Sequence, residues 1–175
     1  MFKRFSGAIA ALILCTASAQ AADFRLDFTA TNFGVPLFGS GPAPFNLATG
    51  HIVFSADTLS SDWTEVIDFD LTVGSAHYKL SDVGVELFAD GAYIGGLLSA
   101  ANGVQLGTDD FLASFHTTQS SQNFWFGYSS KEEKGFWSAQ DIKQTVTAIP
   151  EPETYAMMLG GLALLGAVAR RKAKK

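Results

Sequence analysis

Between Asp23 and Ile149 apolar and polar residues alternate with period two in short runs, and no stretch sustains the three-to-four-residue repeat of a helix. That pattern restricts the segment to β-structure. In "FRLDFTA", Phe24, Leu26 and Phe28 share one face; "HIVFSA" and "TEVIDFDLTV" alternate in the same manner, and "HYKL" follows a Gly-Ser-Ala turn. "VELFADGAYIGGL" spells a hairpin, because Asp90-Gly91 supplies the left-handed backbone that a tight turn needs. Asn102-Gly103 marks another turn, and "FLASF", "NFWFGYSS", "GFWSA" and "IKQTVTAI" follow between polar connections. The Gly- and Pro-rich "GVPLFGSGPAPFNLATG" is expected to be a long connection. Roughly nine or ten short strands at this spacing predict a mainly β domain over residues 23–149: an antiparallel β-sandwich, with the jelly roll as one arrangement. About 127 residues suffice to bury roughly two thirds of the unfolded surface.

The two ends are of a different kind. Lys3 and Arg4, the apolar Ile9 to Leu14 and the small residues of "TASAQAAD" follow the order of a secretory signal peptide, expected over residues 1–22 with cleavage after Ala19, Ala21 or Ala22. The general secretion machinery and a signal peptidase are therefore expected partners. Cys15 leaves with that segment, so the mature chain has no thiol for a disulfide, for catalysis or for metal binding. The bulky Leu14 before Cys15 argues against lipidation.

At the other end, residues 150–175 read "PEPETYAMMLGGLALLGAVARRKAKK". Pro150 and Pro152 lack an amide donor and push their preceding residues into extended conformation, which presents "IPEPE" as an exposed recognition peptide. Thr154 is placed to cap a helix from Tyr155 to Ala169, about 22 Å long and shorter than the roughly 30 Å of a bilayer core. With no polar residue between Ala156 and Ala169, this helix is expected to be a single transmembrane span rather than one packed on the domain. The basic Arg170, Arg171, Lys172, Lys174 and Lys175 stop transfer and keep the C-terminus cytoplasmic, while the signal peptide delivers the body outside.

This tail resembles the PEP-CTERM sorting signal, found on exported proteins of Gram-negative, exopolysaccharide-producing bacteria. Pro150, Glu151 and Pro152 match its triplet, Gly160-Gly161-Leu162 and Leu164-Leu165-Gly166 its Gly/Leu helix, and Arg170-Arg171 the start of its basic end; Ala173 interrupts the basic run. The resemblance covers about the last 26 residues. It implies that an exosortase, a membrane peptidase or transpeptidase, recognises the tail, cleaves near the triplet, and leaves the body at the cell surface or outside the cell. It implies no fold or activity for the body.

The net charge of −5 conceals an acidic body: five basic against fifteen acidic residues lie between Asp23 and Ile149, near −10. Such a surface has no basic stripe to displace counterions from a phosphate backbone, which excludes nucleic acid as an expected partner. His51, His77 and His116 lie apart with no metal-ligand spacing, and no nucleophile elbow, metallopeptidase helix, phosphate loop or dinucleotide fingerprint is present. No catalytic residue, metal site or cofactor is expected. Asp68 with Asp70, and Asp109 with Asp110, have oxygen ligands suited to Ca²⁺, but are better read as solvated edge or loop charges. Aromatic residues make up 13% of the chain. Trp63, Trp125, Tyr128 and Trp137 can stack on a sugar only if exposed, and packing in the core is the stronger expectation for each. The expected function is a non-enzymatic surface or matrix protein of a biofilm, associated with exopolysaccharide; the alternatives are a carbohydrate-binding module and a secreted hydrolase.

Overall fold

The computed structural model describes residues 22–34, 36–59, 61–96, 103–117, 122–150 and 152–172. The first arm of the sheet holds β1 (Ala22–Phe33), β3 (Leu47–Ala56), β4 (Trp63–Val73) and β5 (Ala76–Lys79). The second holds β6 (Gly84–Phe88), β7 (Gly91–Gly95), β8 (Asp110–Thr117) and β9 (Gln122–Ser129). The long β10 (Gly135–Ile149) runs through both, pairing with β9 over Phe136–Ser138 and with β1 beyond it, and the short β2 (Phe38–Gly39) adds to its start.

Every ladder is antiparallel, and the order is β5-β4-β3-β1-β10-β9-β8-β7-β6. This is a meander in which the first and last strands also pair, so jelly-roll crossovers are absent from it. The two ends of the sheet, β5 and β6, are joined by the three-residue 3-10 turn Leu80–Asp82. So short a link forces the sheet to curl until its ends come together. The expected mainly β, antiparallel fold is therefore present as one curled sheet that shares β10 between its arms.

The arms meet through aromatic rings. Phe28 of β1 lies 4.7 Å from Phe124 of β9, Phe69 of β4 lies 5.8 Å from Phe111 of β8, and Phe33 stands edge-on to Tyr128 at 5.0 Å. Ring pairs at such separations add about 0.5–1.5 kcal/mol each beyond the area they bury. Two local departures from strict alternation fill this seam. Asn32 adopts a left-handed backbone (φ 57°), so the inward set changes from Phe24, Leu26, Phe28 and Ala30 to Phe33. In β4, the register shift opposite Val53/Phe54 turns Val66 inward and leaves Ile67 42% exposed, although simple alternation would bury Ile67, and the second shift opposite Ser55/Ala56 returns Trp63 to the core side.

The long connection after β1 is held down by hydrogen bonds that only the fold supplies. The Tyr128 hydroxyl donates to the Phe45 carbonyl at 2.6 Å and accepts from the Phe45 amide at 2.9 Å. Gly39 has φ 88°, and a side chain there would collide with the Lys134 carbonyl oxygen. Tyr78, at the open end of β5, donates to the Asp109 carbonyl at 2.9 Å.

Burial pushes the Tyr78 phenol up to about 12, with the negative charges of Asp109 and Asp110 adding to the shift. Burial also pushes Tyr128 up to about 12, against a smaller opposing effect of its hydrogen bond to Phe45. Both folded values lie above the ordinary phenol value of about 10. The stability they confer is complete below pH ~10 and is lost as pH rises toward about 12. In an alkaline titration followed by tyrosinate absorbance, two of the four tyrosines are expected to ionise near 12, and denaturant midpoints to fall over the same range. Midpoints near 10 for Tyr78→Phe and Tyr128→Phe difference spectra would contradict this.

Candidate sorting site

β10 carries its ladder to the very edge of the tail, since Ile149 is directly paired with Asp23. Beyond Thr145 its side chains are exposed except for Val146, which packs against the core. Pro150 has no amide hydrogen and ends the ladder. The helix α1 (Pro152–Lys172) starts two residues later. It begins earlier than Thr154–Tyr155, because proline is well suited to the first helical position, where its missing N–H would have no partner anyway. Pro152 is thus helical, so the expected extended recognition peptide does not continue through it. Glu151 lies outside the described residues, as do Lys174, Lys175 and the expected signal peptide up to residue 21.

Tyr155, Met157, Met158, Leu159, Leu162, Leu164 and Leu165 are each at least half exposed and point to all sides of α1. Gly160, Gly161 and Gly166 have open space where a side chain would stand. A helix packed on the domain would bury one face; this one buries none of these residues. Arg170 and Arg171 are exposed in the last turn, where positive charge suits the helix dipole, and Lys172 is the last helical residue. Its 21 residues cover about 31 Å. Among the described residues, however, no helix is long and apolar enough to cross a membrane. The expected transmembrane span over 155–169 is therefore not confirmed: the apolar stretch is short and three glycines dilute it.

The proposed aromatic platform does not assemble. Trp63, Tyr128 and Trp137 are buried, and Trp125 is half-buried, tilted against Phe136 at 5.8 Å. Trp63 stacks on Phe54 at 3.7 Å and donates its indole N–H to Thr117 Oγ1 at 3.0 Å, while Trp137 lies 5.7 Å from Tyr128 and its indole N–H reaches the Gly41 carbonyl at 3.4 Å. Such rings are spent on the core and on pinning loops. "NFWFGY" behaves as its alternation requires, with Phe126 and Tyr128 inward and Trp125 on the opposite face.

Each histidine stands beside its own aspartate. His51 Nε2 is 3.0 Å from Asp68, His77 Nε2 is 2.8 Å from Asp70, and His116 Nδ1 is 3.5 Å from Asp90. The first two pairs are diagonal across their ladders, since His51 stands directly opposite Asp70 and His77 opposite Thr72, while Asp90 belongs to the turn before Gly91, which stands opposite His116. No spacing along the chain announces them. The hydrogen bond from His51 holds the Asp68 carboxyl below its ordinary range, and Lys131 does the same for Asp109 at 2.8 Å. Asp110 is buried and accepts from the backbone N–H of Gln105 at 2.7 Å and of Phe111 at 2.8 Å, so it locks the turn before β8. The two acidic pairs are therefore divided among separate structural partners. Among the described residues, no group of three or more His, Cys, Asp or Glu could hold a metal ion. A groove of about 340 Å³ beside Pro44, Leu47, Thr49 and Thr72 has no ionisable side chain in its wall.

No curated protein and no solved structure matches the chain. The PEP-CTERM protein-sorting motif matches residues 148–172, which span the end of β10, the proline junction and α1. The chain therefore carries a PEP-CTERM sorting motif and is an exosortase-targeted protein.

Proposed function

We propose that this chain is an exported, non-enzymatic cell-surface or matrix protein whose tail is cut by an exosortase near Pro150–Pro152, and whose acidic β body is the delivered cargo. The observation that carries this reading is the motif at residues 148–172, set directly after the last strand of a folded body. In this reading α1 engages the membrane as a marginal tether, with Arg170 and Arg171 on the cytoplasmic side. Support comes from the apolar side chains it exposes all round and from the basic residues at its end. Its shortness suits a tether that is removed.

The same reading places the body with exopolysaccharide outside the cell, through its polar outer face rather than through aromatic stacking. Burial of Trp63, Tyr128 and Trp137 leaves the carbohydrate-module alternative without its aromatic platform. Dispersal of the acidic and histidine side chains into separate pairs supports a non-enzymatic body. The test replaces Pro150, Glu151 and Pro152 together with alanine in the full chain, in cells that make the sorting peptidase. Intact mass and cell fractionation should show the tail retained and the protein held in the cell envelope. Loss of the tail and delivery at the parental level would refute the reading.

A further inference from the structure

The groove of about 340 Å³ beside Thr49 and Thr72 opens on the outer face of the first arm, and its wall is held in place by the fold. The Phe45 backbone makes two hydrogen bonds with the Tyr128 hydroxyl. The Phe45 ring lies against Gly74, where φ is 57° and any side chain would collide with it. Pro44 and the exposed Leu47 complete an apolar side. Thr49 and Thr72 line the groove with hydroxyls.

Strand register carries those hydroxyls onward. Lys143, Thr29, Thr49, Thr72 and His77 stand opposite one another in turn on β10, β1, β3, β4 and β5, a row of about 19 Å at the usual strand spacing. Thr49 and Thr72 are exposed and Thr29 is half-buried. Among the described residues none of these three hydroxyls has a protein partner, whereas Thr31, Thr64 and Thr147 spend theirs on strand carbonyls. The row is therefore free to bond a ligand. Its charged neighbours are already matched, since Arg25 lies 2.8 Å from Asp27 and His77 lies 2.8 Å from Asp70. Lys143 ends the row as a cation, but a body with five basic against fifteen acidic residues repels a polyanion, and the groove wall has no ionisable side chain. A sugar ring has hydroxyls at its rim and C–H groups on its faces, which suits a groove that sets threonines beside Pro44 and Leu47. We infer that this groove and its threonine row bind an uncharged polysaccharide chain laid across the strands of the first arm. The inference rests on the proposed placement of the body with exopolysaccharide, and it names the chemistry of that ligand and the surface that takes it.

The test runs the purified full chain, in detergent, through native gels containing dextran, a mixed-linkage β-glucan, galactomannan or the polyanion alginate. At least one of the three neutral polymers should retard it, and alginate should not. Thr49→Val together with Thr72→Val removes two ligand hydrogen bonds and should weaken that retardation about tenfold. Both sites are exposed and valine favours strands, so the unfolding midpoint should stay at the parental value. Thr64→Val removes a hydroxyl that is already bonded to the Ser55 carbonyl and should leave binding unchanged. Passage through all three neutral gels without retardation would overturn the inference. So would retardation by alginate equal to that by the neutral polymers, or a double valine variant that binds like the parent. Fractionating the producing cells' matrix separates the two readings. A parental chain missing from the polysaccharide fraction would sink the proposed placement whatever the gels show, while a chain present there but not retarded in any neutral gel would leave that placement standing and remove this groove as its basis.

Discussion

Replacing Trp63 by alanine is expected to destabilise the body by about 3–5 kcal/mol, the range for deleting a large buried aromatic. The side chain is 4% exposed, lies flat on Phe54 at 3.7 Å and 5°, and stacks again on Phe115 of the opposite arm at 6.2 Å. Its removal opens a cavity where the two arms meet and takes the indole donor away from Thr117 Oγ1. Against a total stability of about 5–15 kcal/mol for a small domain, the loss is a large fraction. Urea unfolding monitored by circular dichroism should show a much lower midpoint. Trp125→Ala, at a half-buried site, should shift it far less. Equal, small shifts for both would mean that Trp63 is not part of the core.

Placing Arg at both Leu162 and Leu165 is expected to abolish membrane engagement of the tail. Both side chains lie in the apolar stretch of α1 and are more than half exposed, so the substitution costs no packing within the body. At the centre of a membrane helix each Arg costs about 2.5–3.5 kcal/mol, and two therefore shift partitioning by roughly 10⁴-fold. A tether as marginal as the proposed one has no reserve against such a change. Carbonate extraction of membranes should move the uncut precursor to the soluble fraction, with the body's unfolding midpoint unchanged. If the double variant remains membrane-bound, the tether does not act through the apolar face of α1.

Much of the fold was legible because alternation is a local property. Phe24, Leu26 and Phe28 are buried together, and "NFWFGY" divides between its faces as its spacing implies. A hairpin does join β6 to β7, but its turn residues are Ala89 and Asp90: Gly91 already pairs with Phe88, and neither Asp90 nor Gly91 takes the left-handed backbone the dipeptide suggested. Alternation failed at Asn32 and within β4, where a left-handed residue and two register shifts changed which side chains face inward. Those shifts answer to packing against a strand far away in sequence. For the same reason the aromatics were ambiguous: Trp63 and Trp137 carry a polar N–H, and only the fold supplied Thr117 and Gly41 as buried partners.

The tail shows the same division at closer range. The order of prolines, apolar residues and basic residues is covalent, and each acts through its own backbone or charge, so the sorting motif can be recognised without a fold. The helix start at Pro152 depends on which backbone groups would otherwise lack partners, and it keeps the extended peptide that the two prolines alone suggested from continuing through Pro152.

By itself the sequence determined that the body is β, that it is acidic, and that its C-terminal segment is an address for a sorting peptidase. Period, charge and motif order reside in neighbouring residues. Only the tertiary structure decided that one sheet curls so that its ends meet, that each histidine has an aspartate, and that Asp23 lies opposite Ile149. These depend on register between strands as far apart as the two ends of the body. Register is set by the total burial of many side chains at once, a quantity that no single stretch contains.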